Sequence, residues 1–199
     1  MEKGLKIPLD RRGIRQIVEV ISNGGVVVLP TDTIYGFHCA VFKRNAIERV
    51  LQLKGRSVQK CFILLSGDMD MVDRVISDWP YDSKKVLSEI WPAPLTAILP
   101  ASNLLPDYVV SDGKVAIRIP DRPWLREIVS LVGEPLVSTS VNRTGRRPIT
   151  RIREIKREFS GLDMYVSSQG RPSGMPSTLV DFTGRVPLIL REGKYRFRV

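Results

Sequence analysis

The chain has 199 residues, of which 43% are hydrophobic, and its formal net charge is +10. This length fits one domain with a buried core, and no apolar run approaches the roughly 18 residues of a spanning helix, so we expect neither a membrane span nor a signal peptide. The positive charge favours polyanionic partners such as nucleotides, RNA, DNA or anionic lipid. The alternative, which is equally consistent with the charge, is that it only keeps the protein soluble.

The two cysteines, Cys39 and Cys61, are far apart and form no metal-binding spacing. We expect two reduced thiols and therefore a cytoplasmic protein, with an oxidised pair as the alternative.

The first elements of the chain are a helix and a buried strand. Asp10 is a helix cap before apolar residues at helical spacing, and Gly24 ends the pattern. The continuous apolar run at 26–29 predicts a buried strand. Thr31, Asp32, Thr33 and Tyr35 emerge together from this strand, and they form either a turn with local hydrogen bonds or the wall of a substrate site.

The second helix presents a cation at its end. Asn45 and Glu48 resemble a capping box at its start, and Gly55 stops it directly after Lys54. Lys54 and Arg56 are suited to a polyphosphate, because arginine binds two oxygens at once and lysine adds a point charge. The alternative is a solvated basic helix end, which is common.

The rest of the chain continues the alternation of helices and strands. Ser83, Asp121 and Thr150 are predicted to start helices. Strands are predicted at 62–65, 95–99, 115–119, 136–142, 164–166, 177–181 and 187–191. Some connections are too short for crossover helices, so the sheet is predicted to be mixed.

The predicted class is therefore α/β: one domain over 1–199, a single twisted mixed sheet with flanking helices. Its core covers about 10–193, and the basic tail at 194–199 is expected to be mobile.

Two further strands carry candidate ligand-binding side chains. Ser140 and Asn142 follow a buried strand and point the same way in extended chain, which suits a phosphate or an adenine edge; a polar turn is the alternative. Arg118 lies on the polar face of an apolar strand, either aimed into a cavity to bind a carboxylate or paired with Asp32 or Asp181.

Familiar catalytic signatures are absent from the sequence. There is no P-loop, no dinucleotide fingerprint, no nucleophile elbow and no zinc-protease motif. His38 has no obvious partner, so we expect it to be non-catalytic.

Several blocks of the sequence, taken in order, resemble the YrdC-type threonylcarbamoyl-AMP synthases. The blocks are Pro30-Thr31-Asp32-Thr33-Ile34-Tyr35-Gly36, Lys54-Gly55-Arg56, Trp91-Pro92-Ala93-Pro94-Leu95-Thr96, Val115-Ala116-Ile117-Arg118-Ile119-Pro120, Ser138-Thr139-Ser140-Val141-Asn142 with Gly145 and Pro148, Pro176-Ser177-Thr178-Leu179-Val180-Asp181 and Leu190-Arg191-Glu192-Gly193. The similarity covers about residues 10–193, and the chain resembles the short form that lacks an additional C-terminal domain.

The resemblance implies a fold, an activity and partners. The family's sheet encloses a positively charged cavity, in which L-threonine, bicarbonate and ATP, with Mg²⁺, give threonylcarbamoyl-AMP and pyrophosphate. A partner complex then transfers the threonylcarbamoyl group to tRNA, and tRNA or double-stranded RNA is a further expected partner.

The resemblance also assigns residues. Lys54 and Arg56 are the expected catalytic cations. The expected ATP-binding residues are Lys54, Arg56, Ser140, Asn142 and Arg191, and the expected threonine-binding residues are Thr31, Tyr35, Arg118, Thr139 and Ser177. No protein ligand for a metal is implied.

Departures from the family pattern concern the threonine side of the site. Phe37-His38 replaces the usual Leu-Gly, and Cys61 and Leu65 stand where a proline and a histidine are common. Two other functions compete with the synthase: a non-catalytic RNA-binding module, and the carbamoyl transfer of hydrogenase-maturation enzymes, which carry additional domains that this sequence has no room for.

Overall fold

The computed structural model describes residues 3–6, 10–55, 62–167 and 172–198. Ten strands and six α-helices are found there. The strands are β1 (Lys3–Lys6), β2 (Val27–Pro30), β3 (Tyr35–Ala40), β4 (Ile63–Leu65), β5 (Leu95–Pro100), β6 (Lys114–Arg118), β7 (Leu136–Ser140), β8 (Met164–Ser167), β9 (Thr178–Asp181) and β10 (Leu188–Arg191). The helices are α1 (Arg11–Ser22), α2 (Arg44–Lys54), α3 (Met69–Val75), α4 (Ser83–Ile90), α5 (Pro123–Val132) and α6 (Ile152–Glu158).

All ten strands form one mixed sheet in the order β1-β8-β2-β3-β7-β4-β6-β5-β9-β10. The pairs β1–β8, β2–β8, β4–β6 and β5–β9 are parallel, and the remaining pairs are antiparallel. The α/β class and the mixed sheet are therefore confirmed. The sequence analysis predicted no strand directly after β2, whereas the chain folds back as β3 in an antiparallel hairpin.

Helices cover both faces of the sheet. The apolar stripes of α1 and α5 pack in one core cluster with Val27, Leu29 and Leu65. The second and larger cluster lies on the opposite face and includes buried residues of α2, α4 and α6. Along β3 the side chains alternate between the two: Tyr35 and Phe37 belong to the larger cluster, and Ala40 to the smaller one.

Helix starts are the least accurate part of the sequence prediction. Asp10 caps α1 as expected, since its Oδ1 accepts from the Gly13 amide at 2.7 Å. Ser83 begins α4 as predicted, but the other predicted caps are displaced. The cap positions of α2, α4, α5 and α6 are Lys43, Asp82, Arg122 and Arg151, and none of these makes a side-chain cap hydrogen bond. Glu48 instead pairs with Arg44, one helical turn earlier, at 2.9 Å.

The C-terminal segment is docked rather than mobile, at least up to residue 198, where the described part ends. The Lys194 amide donates to the Pro176 carbonyl at 2.9 Å, and the Tyr195 amide donates to Thr178 Oγ1 at 3.2 Å. Phe197 then meets Phe182 edge to face, with ring centroids 5.6 Å apart. The aromatic side chains of this segment therefore pack against the domain, although its basic composition indicated a mobile tail.

Gly193 is where this segment crosses the chain before β9. A Cβ at this position would lie 2.4–2.5 Å from the backbone atoms of residues 176–178. We expect Gly193→Ala to lower the free energy of unfolding by about 1–3 kcal/mol, because backbone atoms must shift to accept the methyl group. Urea unfolding measures the change.

Gly184→Ala is the matched control, since the nearest atom to its added Cβ is 3.7 Å away. Its stability should be unchanged or slightly raised. Equal effects of the two substitutions would contradict the close crossing at Gly193.

Candidate active site

A cavity of about 400 Å³ opens among the ends and turns of the strands. Its walls come from segments far apart in sequence. They are Thr31, Thr33, Ile34, Gly36, Ile63, Arg118, Ser138, Thr139, Ser140, Pro148, Pro176, Ser177 and Arg191. Within the described parts of the chain, hydroxyl groups and the arginines Arg118 and Arg191 supply the polar part of this lining, and no carboxylate is among its residues. The cavity is therefore suited to an anionic ligand.

Arg118 forms a buried ion pair with Asp32. Its Nη1 lies 3.0 Å from Asp32 Oδ1, and each side chain is 4% exposed. The second carboxylate oxygen of Asp32 accepts from the Asp121 amide at 3.3 Å. Burial lowers the pKa of Arg118, Asp32 opposes this effect and Arg191 adds to it. Both alternatives left open by the sequence hold, because Arg118 pairs with Asp32 and also lines the cavity.

Arg118 lines the cavity while it is paired with Asp32 through Nη1. Its buried Nε has no hydrogen-bond partner within the described parts of the chain. Asp181, the other candidate partner, pairs instead with Lys114 at 3.0 Å. A guanidinium group has five N–H donors, so its pairing with Asp32 leaves donors for a second carboxylate in the cavity.

Arg191 and Ser177 form a unit on the opposite wall. Arg191 donates from Nε and Nη2 to the Ser177 carbonyl at 3.2 and 2.9 Å. Ser177 Oγ lies 2.8 Å from Thr96 Oγ1, so its position is fixed from the β5 side. Burial lowers the pKa of Arg191. The β9–β10 hairpin thus places the Arg191 guanidinium group and the Ser177 hydroxyl group at the same part of the cavity.

Lys54 and Asn142 do not line the cavity. Lys54 is 1% exposed, and its Nζ donates to the Ser140 and Asn142 carbonyls at 2.6 and 3.1 Å and to Asn142 Oδ1 at 2.9 Å. The Asn142 amide donates to the carbonyls of Arg143 and Arg146. The two predicted ligand-binding residues therefore hold the end of β7, which carries Ser140, and the loop after it. Arg56 lies outside the described residues.

Tyr35 is also away from the lining. It is 2% exposed and packs in the larger core cluster, on the face of β3 opposite to Gly36. Thr31, by contrast, lines the cavity and also bonds locally, with its Oγ1 2.8 Å from Thr33 Oγ1 and accepting from the Ile34 amide at 3.2 Å. Thr31 therefore both stabilises the turn after β2 and forms part of the cavity wall, so the two alternatives predicted from the sequence hold together.

Ser138 and Pro148 are lining residues that the sequence analysis did not assign to a ligand. Ser138 was detectable, because Ser138 and Ser140 share one face of an extended strand. Pro148 has no comparable signal, since it reaches the cavity through a turn. Thr33 was named as a possible wall residue together with Thr31, and the structure places both in the lining.

His38 is buried directly beneath the lining. A Cβ at Gly36 would lie 2.7 Å from His38 Nε2, so only glycine leaves room for the ring. Neither ring nitrogen has a hydrogen-bond partner in the described structure. Burial lowers the pKa of His38 to about 3, and Arg118 adds to this effect, against a smaller opposing effect of the Leu29 carbonyl. The ring is therefore neutral at physiological pH.

The buried His38 predicts a pH dependence of stability. The unfolded chain takes up this proton near pH 6.5, whereas the folded chain does so only near pH 3, so stability falls as the pH drops through this window. We expect the wild type to lose about 2–3 kcal/mol more than His38→Leu between pH 7 and pH 4.5. Urea unfolding of both proteins at the two pH values tests this, and parallel losses would rule it out.

The Arg118–Asp32 pair predicts a large cost for removing one partner. Asp32→Asn leaves a buried guanidinium without its counter-ion, so we expect a loss of about 3–5 kcal/mol in the free energy of unfolding. Glu48→Gln, which breaks the exposed pair with Arg44, should change stability by less than about 1 kcal/mol. Similar small changes in both variants would show that Arg118 is not held by Asp32.

The donor set of this cavity does not fit a protein-held metal ion. The carboxylate of Asp32 is buried, with Oδ1 in ion-pair contact with Arg118 and Oδ2 accepting from the Asp121 amide. In the described parts of the chain no group of three or more His, Cys, Asp or Glu side chains could hold a metal ion.

Comparison with known proteins identifies the family. The Sua5/YciO/YrdC family model, which bears the description telomere recombination, matches residues 19–193. The chain belongs to this family. A threonylcarbamoyl-AMP synthase of Pseudomonas fluorescens strain Pf-5 is 37% identical over 177 residues, covering 87% of this chain and 95% of the relative. A protein of the same name from Nitrosococcus oceani is 34% identical over 84% of this chain and 92% of its own length.

Solved structures of the family have the same fold. Escherichia coli YciO matches with a TM-score of 0.86 at 25% identity, over 97% of this chain and 96% of YciO. Pyrococcus abyssi Sua5 in complex with L-threonine matches with a TM-score of 0.89 at 25% identity. That match covers 97% of this chain but 57% of Sua5, so the chain spans less than two thirds of that protein. In addition, none of the helices in the described ranges is long and apolar enough to cross a membrane.

Proposed function

We propose that this chain is an L-threonylcarbamoyladenylate synthase, which forms threonylcarbamoyl-AMP and pyrophosphate from L-threonine, bicarbonate and ATP. The observation that carries the proposal is the cavity in which Arg118 and Arg191 face one space among hydroxyl groups, with no carboxylate among the described residues that line it. Curated relatives that align over most of the chain are named threonylcarbamoyl-AMP synthases. These names favour the synthase over a non-catalytic RNA-binding module.

The cavity divides into an amino-acid side and a nucleotide side. Arg118, which lines the cavity, binds the threonine carboxylate, and Thr31, Thr139 and Ser177 form the wall beside it. Arg191 and Ser140 bind the phosphates of ATP.

In the reaction, the amine of threonine and bicarbonate form a carbamate and release water. A carbamate oxygen attacks the α-phosphorus of ATP, the bond from this phosphorus to the bridging oxygen breaks, and pyrophosphate leaves. Such a step depends on positioning and on cations that stabilise the charge on the phosphates. If Mg²⁺ takes part, it would be bound to the phosphates of ATP, since no carboxylate lines the cavity within the described residues.

Lys54 supports this site through the loop. Its hydrogen bonds to Ser140 and Asn142 fix the end of β7 and hence the position of Ser140. Lys54 was expected to be a catalytic cation, and we expect Lys54→Ala to remove turnover and also to disorder this loop. Arg56 stays a predicted catalytic cation.

The product is a mixed anhydride, which must be consumed by an acyl transfer. We propose that a tRNA-modifying complex in the cytoplasm takes up the threonylcarbamoyl group, and that tRNA is the final acceptor. The net charge of +10 supports a polyanionic partner of this kind.

The direct test is pyrophosphate release from ATP, with L-threonine and bicarbonate each omitted in turn. We expect release that requires both, because the carbamate is the nucleophile. Arg191→Ala should raise the KM for ATP about 10- to 100-fold, which corresponds to the loss of a charged hydrogen bond.

Arg12→Ala, on the exposed side of α1, is the control that removes one positive charge elsewhere. Its KM for ATP should equal that of the wild type. Pyrophosphate release that is independent of threonine would reject the proposed reaction. An unchanged KM for ATP in Arg191→Ala would reject the proposed role of Arg191 in ATP binding.

A further inference from the structure

A second groove, of about 280 Å³, lies away from the cavity, at the turn end of the β9–β10 hairpin. The cavity takes Ser177 and Arg191 from the opposite, open end of the same hairpin. The groove is lined by Pro80, Tyr81, Asp82, Ser83, Val86, Phe182, Gly184, Arg185, Pro187, Phe197 and Arg198. The proposed synthase reaction makes no use of these residues.

One end of the groove is built to receive an anion. It contains the first turn of α4, where the Ser83 and Val86 amides bond to the chain before them. The amides of Lys84 and Lys85 have no acceptor among the hydrogen bonds of the described residues, and Asp82 does not cap the helix with its side chain. An uncapped first turn offers open N–H donors and the positive end of the helix dipole.

Ser83 provides an independent sign of a ligand. It lines the groove and is 4% exposed, yet its Oγ has no hydrogen-bond partner in the described structure. A buried hydroxyl without a partner is costly, and a ligand oxygen would satisfy it. Arg185 and Arg198 add two positive charges to the lining, against one negative charge on Asp82.

The other lining side chains suit a flat aromatic group. Tyr81 is 67% exposed, and Phe197 is held by its edge-to-face contact with Phe182. Exposed aromatic rings beside arginines bind nucleotide bases by stacking, with the phosphate on the cations.

We propose that this groove is a second nucleotide-binding site. The phosphate lies at the first turn of α4, between Arg185 and Arg198. The base packs against Tyr81 and Phe197. The nucleotide is either free or part of a single RNA strand, because the recognised chemistry is the same.

The test uses ¹⁵N-labelled full-length protein, whose 22.4 kDa mass permits residue-specific NMR titration. The probes are inorganic phosphate, AMP and a single-stranded uridine hexanucleotide. We expect saturable shifts of the Ser83, Lys84 and Lys85 amides with AMP and the RNA, and affinity for AMP at least about tenfold above that for phosphate, since the base adds stacking. Tighter binding of the RNA than of AMP identifies a strand as the ligand, and the reverse identifies the free nucleotide.

Three variants define the site. Arg185→Ala/Arg198→Ala should weaken AMP binding about tenfold or more, whereas the control Arg12→Ala/Arg15→Ala, which removes two exposed arginines of α1, should not. Ser83→Ala should weaken AMP and phosphate alike by about threefold or more, as for a lost hydrogen bond. Tyr81→Asn should weaken only AMP, by about fivefold. Asparagine is used because Tyr81 has a positive φ of 47°, which asparagine tolerates.

Three results would overturn the proposal: no saturable shift at the first turn of α4 with either nucleotide probe, equal affinity for phosphate and AMP, or equal weakening in the control variant. Binding in the cavity is followed separately through the amides of Thr139 and Ser140. A failure of this groove is therefore distinguishable from a failure of the proposed synthase site.

Discussion

The buried ion pair between Arg118 and Asp32 ties the turn after β2 to the end of β6. Both side chains are almost fully enclosed, so each depends on the other to offset the cost of removing a charge from water. The Asp121 amide and the Lys194 ammonium, which donates to the Asp32 carbonyl at 2.8 Å, attach the start of α5 and the C-terminal segment to the same point. The shape of the cavity follows from this junction.

The cations near the cavity have different tasks. Lys54 bonds to backbone and amide oxygens of the loop after β7 and holds it. Arg118 and Arg191 are each bonded on one side to the protein while lining the cavity on the other. Such partial engagement pre-organises a guanidinium group for an anion, because its rotamer is fixed before the ligand arrives. The hydroxyl groups between the two arginines then supply neutral donors and acceptors.

Local patterns predicted the elements well where the signal was strong. Continuous apolar runs gave buried strands, and Gly55 and Gly133 end helices with positive φ, as glycine permits. Helix starts were predicted poorly, because Ser, Thr and Asn are also common in turns, and the cap positions at Lys43 and Arg122 have no side-chain signature. The β2–β3 hairpin escaped detection because Gly36 interrupts the strand pattern. That glycine is required by the His38 ring beside it, which is a tertiary contact.

The sequence by itself determined the α/β class, the mixed sheet and the candidates Thr31, Arg118, Thr139, Ser140, Ser177 and Arg191, all of which line the cavity. It did so because short-range periodicity fixes elements, and the ordered sequence blocks indicated the family. The tertiary structure decided which of the polar side chains face a ligand. Lys54, Asn142 and Tyr35 look equally suitable in sequence, but their directions depend on the strands and loops that pack beside them. The groove between α4 and the C-terminal segment was likewise not predictable, since it joins residues about a hundred positions apart that only the β5–β9 pairing brings near each other.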